Sequence, residues 1–512
     1  MQNIIKDETK MKNILKKVNA RVISAMIIAG CFISMIPNWI LAFFARPSGD
    51  DFGYSAATHQ EWIQTHSLVE VIRAGVETTQ EMCQAWNGDW FSVFFFTLMP
   101  EVFIPYSFWV VPLFWSLAMI AAVWYLSYQV MTKWLGVDKL VTGATSALIL
   151  LMSYQWAPSS AIMLYWYVGV IHYIMPHVIA LFIIGGLVKF LRTEKYGYIV
   201  WASIGMIAVG GSSYYAFFLV IFSYFFIFLY GGWKKKKLKW LIIPVVVGGS
   251  ALLFQVTAPG NAARVGAGIG FTFEKAINTI IGSLFQGIRV IAENFREMPL
   301  IIFFIILTAA ILWVGLSKSK TTFEFKFPLL FAVYVYGIYA SMFTPEIYAE
   351  TEISGGPPTM EYLTFILCSV LLIGYTEGWM IRKMREAGKV KGTESFGQQI
   401  LQLCLVLISA AIIVCRNDIK ETLFYESVEY ITSGQAADFK KQIDSQMKIL
   451  LDDSIKEAYL CPGASDAYAC NRRSECLYKL GGKKFLWERK GCHEAMMSGE
   501  EEGKGEGEKR KC

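Results

Sequence analysis

Apolar residues dominate this chain in runs of about 20, the length that crosses a bilayer core, with short polar breaks between them. The runs fall near 22–44, 107–130, 140–157, 173–191, 197–209, 212–232, 240–256, 298–316, 327–344, 360–379 and 400–415, eleven in all. Residues 197–232 are nearly continuous, and the cluster Gly210-Gly211-Ser212-Ser213 divides them, because small residues suit a tight turn between two helices. The pattern predicts an all-α polytopic membrane protein with about eleven transmembrane helices.

Basic residues supply the orientation. With Lys6, Lys10, Lys12, Lys16, Lys17 and Arg21 on the cytoplasmic side, the alternate loops 131–139, 189–196, 233–239, 317–326 and 380–392 share that side, and together these segments hold 24 Lys and Arg. The opposite loops, 45–106, 158–172, 210–211, 257–297 and 345–359, hold six: Arg46, Arg73, Arg264, Lys275, Arg289 and Arg296. That asymmetry is the positive-inside bias, and joining 197–232 into one span would scramble it. The expected topology in a cytoplasmic membrane is therefore N-terminus inside and C-terminus outside. Lys234–Lys237 with Lys239 reads as an orienting loop, so no nucleic-acid partner is expected.

Composition agrees with the pattern. The 512 residues are 55% hydrophobic and 17% charged, against about 25% charged in soluble domains, which excludes a soluble enzyme. The first apolar run is too long for a cleaved leader and is expected to remain as the first span. No G-x-x-x-x-G-K-[ST] occurs, so no nucleotide site is expected. Four regions follow: a cytoplasmic N-terminus at 1–21, a transmembrane domain at 22–415, an outer polar helical segment at 416–459 and a Cys-rich, charged tail at 460–512.

The unusual polar residues collect in the outer loops. Asp50 and Asp51 follow the first span directly, and Pro47 and Gly49 break the helix so that both carboxylates stay near the bilayer surface. One of them could instead cap the helix that follows. Amphipathic helices are expected at 54–66 and 68–85, then Trp86-Asn87-Gly88-Asp89-Trp90, and then a short interfacial or re-entrant run from Phe91 to Met99. The second outer segment is dense in aromatic residues from Tyr165 and Trp166 to His177, as a sugar-stacking platform or an interfacial belt would be. His172 and His177 lie five apart, which argues against a metal pair on one α-helical face. The third, Ala258-Pro259-Gly260-Asn261 followed by Arg264, turns at the bilayer surface, where a guanidinium suits a lipid-linked phosphate or simply snorkels. The fourth carries Glu346, Glu350 and Glu352 with no basic residue; Glu350 and Glu352 are weak candidates for a divalent cation, and the default is an acidic loop kept off the positive face. The segment 273–296 is expected to lie on the outer surface as a helix.

In these features residues 20–380 resemble the multi-spanning C-type-fold (GT-C) glycosyltransferases: an acidic pair after the first span, a long first outer loop with surface helices, and ten or more spans. More narrowly, the chain resembles an uncharacterised bacterial family with first-loop aspartates, a Trp-x-Gly-Arg-like element, a Trp-x-x-Gly segment and Ala-Pro-Gly-Asn followed by Arg. Here these are Asp50-Asp51, Trp86-Asn87-Gly88-Asp89, Trp166-Tyr167-Val168-Gly169 and Ala258-Pro259-Gly260-Asn261 with Arg264. Asp89 stands where the family pattern has Arg, and 346–358 lacks an arginine beside Pro357-Pro358. The resemblance implies transfer of a sugar, with inversion, from a polyprenyl-phosphate donor to an envelope glycan or lipid acceptor on the outer face. It implies Asp50 or Asp51 as general base, Arg264 at the donor phosphate, and Tyr54, Trp86, Asn87, Asp89, Trp166, His172 and Asn261 lining the substrate. A divalent cation is left open. The competing expectation is a transporter or flippase of lipid-linked glycans; a non-catalytic scaffold is a third.

Beyond Arg416 the chain turns polar, and 439–455 has the pattern of an amphipathic outer helix. From Leu460 the character changes again: Cys461, Cys470, Cys476, Cys492 and Cys512 match no zinc spacing, and Glu500–Cys512 reads as disordered. No functional module is expected after Tyr459, and a frame change in the gene would account for the shift.

Overall fold

The structure, a computed structural model, describes residues 19–231, 236–265, 272–350, 355–388, 393–450, 457–460, 477–480 and 483–487. They are almost entirely helical. The exception is three strands in the tail, Glu457–Leu460, Leu477–Leu480 and Lys483–Trp487, with the last paired between the other two. The five tail cysteines and Glu500–Cys512 lie outside the described residues.

A helix occupies each of the eleven apolar runs: α1 Ala20–Ala42, α2 Val110–Ser127, α3 Lys139–Gln155, α4 Met175–Thr193, α5 Gly197–Gly210, α6 Tyr214–Gly231, α7 Ile242–Val256, α8 Leu300–Lys318, α9 Pro328–Ala340, α10 Gly356–Glu386 and α11 Thr393–Val414. Seven of them (α1, α2, α4, α7, α8, α9 and α10), taken with their flanking turns, are long and apolar enough to cross a bilayer. Helices α5, α6 and α11 are shorter apolar helices, and α3 is buried along most of its length. This architecture fits a multi-pass membrane protein.

Local sequence sets the helix limits. Asn19 caps α1, its side-chain oxygen accepting from the Arg21 and Val22 N–H groups at 3.0 and 3.1 Å. The expected break between α5 and α6 falls at Gly211-Ser212-Ser213. Its glycines also permit close packing: a Cβ on Gly210 would lie 2.5 Å from the Gly248 carbonyl oxygen of α7, and one on Gly211 would lie 2.5 Å from the Trp90 ring.

Two sets of contacts sort the helix ends into opposite faces. On one, the end of α1, the end of α3, the start of α8 and the chain after α11 are joined. The Asp418 carboxylate accepts from the Leu300 N–H at 2.9 Å, and its carbonyl accepts from the Trp156 indole at 3.1 Å. Gln155 Oε1 accepts from the Phe424 N–H at 2.9 Å, and Ser427 donates to Asn38 at 2.7 Å. On the other face, Arg385 at the end of α10 donates to the Leu316, Ser317 and Ser319 carbonyls at 3.1, 2.8 and 2.8 Å, capping α8. Ser319 donates to Leu135, and Arg192 donates to Gln129 at 2.8 Å. The basic loops 131–139, 189–196, 317–326 and the end of α10 thus share one face.

The segment after α11 is part of the fold. Helices Leu423–Thr432 and Gln435–Leu450 cover the first face, the latter beginning before the expected 439, and Asp444 takes both the Nε and an Nη of buried Arg46, at 2.6 and 3.3 Å. Replacing Asp418 by Ala would strand the Leu300 N–H in the interior. The expected cost is about 1–3 kcal/mol, read as a lowered unfolding midpoint in detergent.

The helix Phe273–Glu297 is amphipathic in an inverted sense. Its buried face is Thr279, Ser283 and Gly287, whereas Phe273 and Phe285 are 76% and 71% exposed and Ile280 and Ile288 more than half exposed. Small residues let it pack closely on α9, where the Tyr336 hydroxyl donates to the Leu284 carbonyl. The apolar stripe faces outward, as suits a helix lying in lipid.

Candidate active site

The two first-loop aspartates have different environments. Helix Asp51–Thr65 starts at Asp51, three residues before the expected 54, after a turn in which Gly49 takes a φ of +54°. Asp51 is 0% exposed. Its Oδ2 accepts from the Ser48 N–H at 3.0 Å and its Oδ1 accepts from the Val168 N–H at 3.0 Å. It therefore ties the loop after α1 to the Trp166–Gly169 segment across 117 residues of sequence. Burial pushes its carboxyl up to about 7, against the pull of those backbone N–H groups. Asp50 occupies the helix N-cap position but makes no cap bond, and its side chain is open to solvent. Protein nevertheless surrounds much of its carboxyl group, and that desolvation raises its pKa. The capping alternative fails for Asp50.

The raised Asp51 pKa has a definite sign. A carboxyl easier to protonate in the folded than in the unfolded protein contributes most below its unfolded pKa of about 4, and that contribution is lost as pH rises through about 7. Unfolding midpoints of the wild type are expected to fall between pH 4 and 7. Asp51→Asn removes the titrating group, so its curve is expected to lose most of that slope, and an unchanged slope would reject the assignment.

The elements at 86–89 and 258–261 form a single join. The Gly88 N–H donates to Asn261 Oδ1 at 3.0 Å, and Asn261 Nδ2 donates to the Gln255 carbonyl at 2.8 Å. A Cβ on Gly88 would lie 1.9 Å from the Gln255 carbonyl oxygen, and one on Gly260 2.7 Å from the Trp86 and Asn87 nitrogens. Gln255, fully buried at the end of α7, donates to both Asp89 and the Ser212 carbonyl. The Phe91 N–H donates to the Gly211 carbonyl at 2.8 Å. The run from Phe91 is helical over Trp90–Phe96, with Ser92, Val93 and Phe96 buried.

His172 reaches this join through irregular backbone. Two π-helical turns, Ala161–Tyr165 and Val170–Ile174, flank Trp166–Gly169, and π turns gather at functional sites. His172 Nε2 stands 4.0 Å from Asp89 Oδ2. A line of ring contacts leads from Tyr54, one turn after Asp50, to Phe96 at 4.9 Å, on to His172 at 6.2 Å, Tyr173 at 4.5 Å and Tyr215 at 6.3 Å. Trp166 packs over Gly169, and Trp86 is exposed at the rim. His177 is buried in α4.

The backbone of Arg264 lies in the helix Pro259–Val265, and its side chain is outside the described residues. Glu350 adopts a φ of 52° and pairs with Lys275 at 3.3 Å, while Glu352 lies outside the described residues. Among the described residues no group of three or more His, Cys, Asp or Glu could hold a metal ion.

Sequence reasoning did not single out Gln255, Tyr173, Tyr215 or Glu101. The last is buried, with Oε1 accepting from the Phe108 N–H at 3.1 Å. For Gln255 the available signal was an amide at the very end of an apolar run. No family model matches the chain, and no curated protein matches it.

Proposed function

We propose that this protein is a membrane glycosyltransferase that transfers a sugar from a polyprenyl-phosphate donor to an envelope glycan or lipid acceptor at the outer face of the cytoplasmic membrane. The observation that carries the reading is the division of labour between the aspartates: Asp51 is spent on backbone N–H groups, while Asp50, one turn before Tyr54, makes no cap bond and is exposed. In this account all eleven apolar helices cross the bilayer, with the basic loops inside, in the manner of the C-type fold. Asp50 accepts the proton of the acceptor hydroxyl as that oxygen attacks the anomeric carbon. The bond from that carbon to the phosphate oxygen breaks on the opposite side, so configuration inverts and polyprenyl phosphate leaves. Arg264 is assigned to the departing phosphate. Trp86, Asn87, Asp89, Trp166 and His172 line the sugar path, with Asn261 holding the join.

A second reading, movement of an intact lipid-linked glycan, draws on Glu361 and Glu377, which are placed along α10 and each have a buried carboxylate oxygen without a hydrogen-bond partner. Purified protein in nanodiscs, given polyprenyl-phosphate sugars and a membrane-glycan acceptor extract, separates the two. Release of polyprenyl phosphate with glycosylated product, seen by mass spectrometry, supports transfer. Translocation of uncleaved donor in proteoliposomes would support the transporter.

A further inference from the structure

On the basic face, the ends of α8 and α10 and the loop between α8 and α9 enclose a cavity of about 270 Å³, with Leu316, Thr321, Thr322, Glu324, Arg382 and Arg385 in its wall. Aromatic side chains pin the loop to α10. Phe325 is buried against Gly378, where a Cβ would come within 2.4 Å of its ring, and the Tyr375 hydroxyl donates to the Lys326 carbonyl at 2.5 Å. The loop holds this shape at a cost, since Phe325 and Phe327 take φ values of 45° and 54°, a region that bulky residues rarely enter. Backbone strain of this kind collects at ligand clamps and switch regions.

The charges around the cavity select an anion. Residues 316–326 and 381–386 carry six cations, Lys318, Lys320, Lys326, Arg382, Lys383 and Arg385, against two carboxylates, Glu324 and Glu386. Both carboxylates are already matched, Glu324 by Lys326 and Glu386 by Arg382 and Lys383, each at 2.8 Å from Glu386. Glu377 lies deeper in α10 and does not line the cavity. Among the described residues Arg385 spends only Nη2, on the three carbonyls that end α8. Arg382 spends Nε on Glu386 and Nη1 on the Glu324 carbonyl at 2.6 Å. The remaining guanidinium nitrogens, with the Thr321 and Thr322 hydroxyls, are donors suited to phosphate oxygens.

Position selects a lipid over a soluble anion. The volume falls below the roughly 300 Å³ at which pockets for whole small molecules begin, and suits a headgroup alone. Directly after the loop, Phe327, Leu329, Leu330 and Val333 are each more than two-thirds exposed, an apolar strip on which acyl chains can lie. Phe331 stacks on Tyr375 with ring centroids 3.7 Å apart, which keeps that strip beside the cavity. Basic pockets between membrane helices on the cytoplasmic side are where anionic headgroups bind.

We propose that this cavity binds the phosphate headgroup of an anionic phospholipid from the leaflet at the basic face, with Arg382 and Arg385 on the phosphate and the acyl chains along the start of α9.

The test measures thermal protection of the delipidated full chain in neutral detergent on adding dioleoylphosphatidylglycerol, dioleoylphosphatidylcholine or glycerol 1-phosphate. Phosphatidylglycerol is expected to protect the wild type at a concentration at least about fivefold below phosphatidylcholine, and glycerol 1-phosphate is expected to give no protection over the same range. Arg382→Gln removes a donor whose only ion pair is at the surface, and Thr322→Glu places a carboxylate at an exposed point of the cavity wall. Each is expected to weaken phosphatidylglycerol protection about threefold to tenfold and to leave phosphatidylcholine unchanged, and Thr322→Glu decides the matter if Arg382→Gln does not fold. Lys195→Gln, which removes an exposed cation from the same face away from the cavity, is expected to stay within about twofold of the wild type. Equal protection by the two lipids, or wild-type protection in the folded cavity variants, overturns the site. A loss in Lys195→Gln as large as in Arg382→Gln or Thr322→Glu overturns it in favour of general surface charge. Protection by glycerol 1-phosphate equal to that by phosphatidylglycerol overturns it in favour of a free phosphate.

Discussion

Asp50→Asn is expected to lower sugar transfer by about 10²- to 10⁴-fold, the usual contribution of a general base, with little change in stability. The amide keeps the size of the side chain and cannot accept a proton. Because the wild-type carboxyl makes no cap bond, its replacement removes no structural contact at the helix start. The loss should fall on kcat more than on KM, since the proton moves in the transition state. The pH profile gives an independent check. Surrounding protein raises the Asp50 pKa, so the base is disabled at low pH and gains activity as pH rises through that value. Asp50→Asn is expected to lose this limb from whatever activity remains, which titrations of product release would show.

Gly88→Ala is expected to have the second large effect, through geometry alone. The added Cβ would meet a backbone oxygen at 1.9 Å, so no side-chain rotation relieves the clash. The loop carrying Trp86 and Asp89 must then lift from the end of α7, breaking the bond from Gly88 to Asn261. A cost of about 1–3 kcal/mol is expected, with transfer falling although every assigned polar side chain is retained. Gly30→Ala in α1 is the control. Nothing lies within 4 Å of a Cβ there, so stability should hold or rise slightly.

The apolar pattern made the helices legible because a bilayer segment must satisfy its backbone internally, leaving the helix as the form such a run takes. Even the break at 210–213 could be placed, since the basic residues demand two helices where hydrophobicity alone allows one. The surface helix Leu68–Ala85 lies where its pattern put it. The helix Phe273–Glu297 shows the limit: its periodicity was evident, but the outward direction of its apolar face depends on what packs behind Thr279, Ser283 and Gly287. The site was legible as residue types only. Neighbouring aspartates look alike in sequence, and what separates them is the Val168 N–H, a partner far along the chain. The π turns that bring His172 beside Asp89 shift the register away from 3.6 residues per turn, so helical spacing gave no hint of that approach. Gln255 acts by joining Asp89 to Ser212, a role that only the packing of α7 against the 86–89 and 211–213 segments creates.

The most direct test of the division between the aspartates compares wild type, Asp50→Asn and Asp51→Asn in the same nanodisc preparations, measuring polyprenyl phosphate release and unfolding midpoint together. Asp50→Asn should unfold like the wild type with release reduced by about 10²-fold or more. Asp51→Asn turns an amide N–H₂ toward one of two backbone donors, so its midpoint should drop and its residual activity should follow the folded fraction. Release by Asp50→Asn equal to that of the wild type would contradict the assignment of Asp50 as the base.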